Sequence, residues 1–194
     1  MSTAIQQRLT PEDLLDMQDG DQYELVDGQL VEPAMSTESG WLASWIAFVL
    51  TGHVAENGHA WVCSETVQYR CFPDDPNRVR KPDVSVLLKS TRPQRPDREG
   101  FCLERPDIAV EIISPSDALL AIKEKLADYR AAKIPLIWLV HPDDLTIWVY
   151  RDAAKEPQYL EIDDQVDGGS VLPNFQKKVA ELFPPELVQE FRLK

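Results

Sequence analysis

The stretch IAVEII, residues 108 to 113, constrains the fold more than any other part of the chain. Its near-continuous run of β-branched and apolar residues asks for a strand buried on both faces, yet Glu111 stands in the middle of it. A carboxylate taken out of water costs several kcal/mol unless something pairs with it. Any fold this chain adopts must therefore supply a partner for Glu111.

Two kinds of partner can be read nearby. A second acid, Asp83, stands in KPDVSVLL, which alternates as a strand and is expected beside the one holding Glu111. Two buried acids on neighbouring strands repel unless a cation or a proton lies between them, and hard divalent metals such as Mg²⁺ take carboxylate oxygens of this kind. Pro106-Asp107 repeats the Pro-Asp dipeptide of Pro82-Asp83. Asp107, however, lies four residues from Glu111 on the same strand, about 13 Å away at roughly 3.3 Å per residue, so the two cannot share an ion.

The other kind of partner is a lysine. SPSDALLAIKEKLADYRAAK predicts a helix over about 116 to 133, with Ser114 as cap, Pro115 in the first turn and Asp117 where a capping box wants an acid. Leu119, Ile122, Leu126 and Tyr129 form its apolar stripe, with Lys123 and Lys125 on either side. Periodicity does not choose between these lysines. A plain buried ion pair with Glu111, or a snorkelling lysine with its ammonium in water, explains either one without chemistry. Ser114 and Ser116 read as capping residues rather than nucleophiles, and His53, His59 and His141 match no metal-ligand spacing.

The rest of the chain fits around this strand. LTPEDLLDM opens a short helix with Thr10 as N-cap, and YELVDGQLVE predicts a hairpin about Asp27-Gly28. A longer helix is expected over 38 to 57, stopped by Gly58. AWVCSETVQYRCF reads as a strand, IPLIWLV and LTIWVYR as two more, and EIDDQVDGGSVLPNFQKKVAELF as a hairpin with a closing short helix. The expectation is one domain over 1 to 194, of α/β or α+β type, with a mixed central sheet flanked by helices and an N-terminal helix and hairpin.

Charge limits the partners. The formal charge of −13 argues against a chain coated with nucleic acid. Between Arg70 and Arg105, nine basic residues face six acidic ones, a strip that could meet a polyanion or form an ordinary solvated loop. Cys63, Cys71 and Cys102 are odd in number and show no CxxC pairing, so neither a disulfide framework nor a structural zinc site is suggested. With no signal-peptide pattern, and a longest apolar run (41 to 50) too short for a bilayer, a cytoplasmic protein without membrane contact is expected. Five tryptophans and exposed-looking strands suggest a homodimer.

RVRKPDVSVLL, RPDIAVEIISPSD, EKLADY and IPLIWLVHP…LTIWVY, in that order, closely resemble the Uma-two family of endonucleases in the PD-(D/E)xK restriction-endonuclease-like superfamily. YELVDGQLVE and GSVLPNFQKKVAELF extend the resemblance over about residues 10 to 184. It implies a restriction-endonuclease-like core in which Asp83 and Glu111 bind Mg²⁺ or Mn²⁺ and DNA is the substrate. The superfamily's lysine usually stands two residues after the second acid, where this chain has Ile113. The Uma-two pattern moves it onto the following helix, four residues before a tyrosine, which here implies Lys125 before Tyr129. Glu24 matches the N-terminal acid, and His141 departs from the family's usual Asp at a turn position. Two other functions stay open: a nuclease-fold protein that binds or oligomerises without cutting, and a phosphodiesterase acting on small nucleotides.

Overall fold

The computed structural model describes residues 8–34, 36–114, 119–152 and 154–193. Its centre is a six-stranded sheet in the order β3-β4-β5-β6-β7-β8, formed by Ala60–Ser64, Val84–Leu88, Ile108–Ile112, Leu136–His141, Thr146–Arg151 and Gln158–Leu160. Every neighbouring pair is antiparallel except β5 and β6, which are parallel. Helix α3 (Leu119–Ala131) lies in the connection between these two, as parallel neighbours require a crossover.

Strand β5 is buried along its whole length, as its composition demands. Its period of two sorts the side chains. Ile108, Val110 and Ile112 join the larger core together with Leu42, Ile46 and Leu50 of helix α2 (Thr37–Asn57). Ala109 faces the other way, into the cluster built by Leu126 and Tyr129 of α3, and Glu111 follows it. On β4 the same parity puts Val84 and Val86 in the α2 core and Leu87 in the α3 cluster. Asp83, one residue before β4, is thereby carried to the α3 side.

The N-terminal segment covers the end of this layer. Helix α1 (Pro11–Asp16) begins at Thr10, whose hydroxyl accepts from the Asp13 N–H while the Asp13 carboxylate accepts from the Thr10 N–H. Strands β1 (Glu24–Val26) and β2 (Gln29–Val31) pair through a two-residue loop, Asp27 at φ 52° and Gly28 at φ 76°. Both positions are left-handed, the conformation of the hairpin turn that Asp-Gly favours. Leu25 bridges to Val79 by two backbone hydrogen bonds and ties the hairpin to the segment leading into β4.

Three details differ from the sequence reading. In AWVCSETVQYRCF only Ala60–Ser64 is strand; the chain turns, and Tyr69 then forms isolated bridges with Arg80 and Cys102. The short strand β8 was not expected. As expected, β9 (Gln165–Gly168) and β10 (Leu172–Lys178) form a hairpin, closed by a 3₁₀ turn at Val179–Leu182. A last helix, α4 (Pro185–Arg192), follows with Pro185 at its start. The expected cap Pro115-Ser116-Asp117 lies outside the described residues. Among the described residues no helix is long and apolar enough to cross a membrane.

Candidate active site

Glu24, Asp83, Glu111 and Lys125 line a single pocket of about 220 Å³ at the edge of the hairpin, the C-terminal end of β5 and α3. Each arrives from a different element. Glu111 points from the sheet to α3, and Asp83 sits on the adjacent approach to β4 with its Oδ2 accepting from the Ile112 N–H at 2.6 Å. Lys125 Nζ is 2.8 Å from Glu111 Oε2 and 3.1 Å from Glu24 Oε1. Of the two lysines left open by periodicity, Lys123 is exposed and Lys125 is the one turned inward.

Three further residues, given no site role from the sequence, complete the arrangement. The Tyr129 hydroxyl donates to Glu111 Oε1 at 2.5 Å. Arg80, 5% exposed in its side chain, pairs with Glu24 at 2.9 Å and with Asp128 at 2.6 Å. Asp128 in turn receives Arg78 at 2.9 Å. The Lys81 N–H donates to Glu24 Oε1 at 2.8 Å, so both oxygens of that carboxylate are held. One signal for this chain was present: Asp128 stands three residues after Lys125 on the same helix, hence on a neighbouring face.

The charges follow from these contacts. Burial is the largest influence on Glu111; Asp83 and Glu24 act in the same direction, Lys125 against it, and the carboxyl is pushed up to about 8. Burial opposes the Lys125 ammonium, but Glu111, Glu24 and Asp83 outweigh it and hold the lysine protonated above its usual range. Burial also opposes the Glu24 carboxylate, yet Lys125, Arg80 and the Lys81 N–H bring it below the usual value. Glu111 therefore takes up a proton at higher pH in the folded chain than the ordinary 4.5 of the unfolded one. The stability it contributes is full below that ordinary value and is lost as pH rises toward 8. In chelator, the melting temperature should fall across this window, and Glu111→Gln should remove that component. A wild-type melting temperature independent of pH from 5 to 8 would contradict the assignment.

Asp107, the decoy, is committed elsewhere. Its Oδ2 accepts from the Leu88 N–H at 2.8 Å and the Thr91 hydroxyl at 3.1 Å, closing the turn after β4. Asp107→Ala should destabilise by about 1–3 kcal/mol through the unpaired Leu88 amide and leave cleavage unchanged in an activity assay below the melting temperature.

Most of the basic strip is engaged by acids and carbonyls of the same chain. Arg70 pairs with Glu12, Arg78 with Asp27, Asp75 and Asp128, Arg80 with Glu24 and Asp128, Arg92 with Asp97 and Glu104, and Arg105 with Asp107. Lys81 donates to the Asp21 carbonyl and Lys89 to that of Gly58. Arg95 and Arg98 alone in the strip have no such partner among the described residues.

Among the described residues, no group of three or more His, Cys, Asp or Glu is arranged to hold a metal. The two carboxylates Asp83 and Glu111 do fit Mg²⁺ or Mn²⁺, which prefer hard oxygen ligands and commonly take one or two carboxylates with the remaining positions filled by water and phosphate. Burial above all, with Asp83 and Glu24 beside it, disfavours a negative charge on Glu111, and a divalent cation would offset that cost.

The sequence profile of the Uma2 family, described as "Putative restriction endonuclease", matches residues 11–182. The chain belongs to the Uma2 family. Its fold is similar to that of a crystal structure described as "a putative nuclease" from Anabaena variabilis, with a TM-score of 0.74, 22% sequence identity, and coverage of 90% of this chain and 97% of that one. No curated protein matches. The family match supports a nuclease in general terms, the structural neighbour shows the shared fold, and this Uma2 chain carries its acids and lysine in one pocket.

Proposed function

We propose that this Uma2 protein is a Mg²⁺- or Mn²⁺-dependent endonuclease hydrolysing phosphodiester bonds in DNA, with Asp83 and Glu111 as metal ligands and Lys125 as the catalytic cation. The observation that supports this best is the 2.8 Å contact between Lys125 and Glu111, made from helix α3 in a chain whose residue 113, just after β5, is isoleucine. A bound divalent cation would polarise the phosphodiester and lower the pKa of a water molecule.

The chain's own groups divide the remaining work. Lys125 is held protonated, so it does not take a proton from water; its role is to offset the charge growing on phosphorus. An ammonium has three donors, and those of Lys125 meet Glu111, Glu24 and, at 3.3 Å, the Lys81 carbonyl. Glu24 is a positioning residue: fixed by Arg80 and the Lys81 amide, it fixes Lys125. Tyr129 holds Glu111 by Oε1 and sets the direction of Oε2.

The reading without catalysis also has an observation in its favour, because Lys125 and Tyr129 already satisfy Glu111 without a metal. The deciding experiment is cleavage of supercoiled and single-stranded DNA by purified protein with Mn²⁺, beside Glu111→Ala. Cutting that disappears in the variant supports the nuclease. Absence of cutting by the folded wild-type protein on either DNA overturns it in favour of the binding reading.

A further inference from the structure

Four charged side chains at the pocket close a ring. Lys125 Nζ is 3.1 Å from Glu24 Oε1. Glu24 Oε2 accepts from Arg80 Nη1 at 2.9 Å, and Arg80 turns its Nε, at 2.7 Å, and its Nη2, at 2.6 Å, onto Asp128 Oδ2. Asp128 stands one helical turn after Lys125 on α3, so the helix backbone joins the two ends. Arg78 holds Asp128 from outside the ring, its Nη1 donating to the two carboxylate oxygens at 3.0 and 2.9 Å.

Stability explains this ring poorly. The side chains of Glu24, Arg80 and Asp128 are 3%, 5% and 16% exposed, and ion pairs taken out of water in this way seldom gain more than apolar side chains of the same volume would. What such a ring can do is fix geometry. A guanidinium is planar, and its nitrogens keep fixed directions relative to one another. With Nε and Nη2 both on Asp128, the direction left to Nη1 is set, and along it stands Glu24 Oε2. Glu24 is further pinned by the Lys81 N–H, which donates to Oε1, the oxygen that meets Lys125. Arg80, Glu24 and Lys125 line the pocket and Asp128 does not, so Asp128 reaches the chemistry only through them.

Resting on the nuclease reading above, we propose that Asp128 is the residue that positions Lys125, holding its ammonium beside Glu111 by way of Arg80 and Glu24. Loss of Asp128 therefore lowers the rate of the chemical step and leaves the affinities for metal and nucleic acid in place.

The test is Asp128→Asn in the full chain. An amide has one accepting oxygen and a donating nitrogen, so it can serve one arginine while turning N–H groups toward the other, with little change in volume. Cleavage of plasmid DNA with Mn²⁺ is expected to fall about tenfold or more in kcat, the scale of a small misplacement of a reacting group, while KM and the affinity for Mn²⁺ stay within about twofold. In a Lys125→Met background the same substitution is expected to change kcat by less than about twofold, because the group it positions is already gone. A carboxylate with a merely structural role would lower the rate by the same factor in both backgrounds. That additive result, or an unchanged kcat in folded Asp128→Asn, overturns the inference. Should the amide variant not fold, Asp128→Glu, which keeps the charge but sets it one methylene further out, carries the same measurements with a smaller loss expected.

Crystal structures of the wild type and Asp128→Asn separate this from failure of the function itself. If neither protein cuts DNA, the nuclease reading falls and the atomic positions still decide. Lys125 Nζ displaced beyond about 4 Å from Glu24 Oε1, outside ion-pair distance, supports the positioning role, whereas Arg80, Glu24 and Lys125 unmoved in the variant overturn it.

Discussion

Replacing Lys125 with methionine should lower the rate of phosphodiester cleavage by about a thousandfold, the scale of losing one preorganised charge at a developing oxyanion. The stem of the side chain keeps its packing, and what disappears is the ammonium that touches Glu111 and Glu24. Removing one partner of a buried pair also destabilises, so melting temperature must be read alongside the rate. Mn²⁺ binding separates the two effects: the cation can take over as the partner of Glu111, so binding should persist while cleavage is lost. Lys125→Arg retains charge but substitutes a planar fork for a compact ammonium, and should recover stability better than it recovers rate. A folded Lys125→Met protein cutting within tenfold of wild type would remove Lys125 from the mechanism.

The second large effect belongs to Glu24 and falls mainly on stability. With Glu24 and Arg80 only 3% and 5% exposed in their side chains, solvent screens little of their interaction. Glu24→Ala leaves Arg80 facing Asp128 alone and Lys125 without its second carboxylate. Breaking such a buried pair costs about 3–5 kcal/mol, which in a chain of this size lowers the melting temperature by roughly 6–20 °C. Cleavage measured well below that temperature should fall as well, because Lys125 loses the group that positions it. Replacing both members, Glu24→Gln with Arg80→Met, should cost less than the sum of the single changes, and the double-mutant cycle measures their coupling. Simple additivity would mean that the pair does not act as a unit.

Much of this arrangement was legible because its causes are local. Thr10 and Asp13 close a capping box within four residues, Asp27-Gly28 sets its own turn, and the apolar run around Glu111 states its burial outright. The choice between Lys123 and Lys125 was not legible from the helix. Both flank the apolar stripe, and the difference is made by Glu24, brought up by a hairpin far away in sequence. Family resemblance named the inward lysine where periodicity left two. Arg80 illustrates the opposite error of scale. By composition it belonged to a solvated basic strip, but Val79 pairs with Leu25 and anchors the segment against the hairpin, which places Arg80 between Glu24 and Asp128. Tyr129 counted as one more apolar position, because helical periodicity cannot show that its hydroxyl ends on Glu111. The three-residue strand β8 is too short to carry a pattern, and exists because β7 has an edge to pair with.

The central claim is that Asp83 and Glu111 jointly hold a divalent cation, and calorimetric titration of Mn²⁺ into wild-type and Asp83→Ala protein tests it most directly. The account predicts saturable binding at a single site in the wild type and its loss in a variant that remains folded by circular dichroism. Undiminished Mn²⁺ binding by folded Asp83→Ala would contradict it, and Glu111 would then be explained by Lys125 and Tyr129 alone.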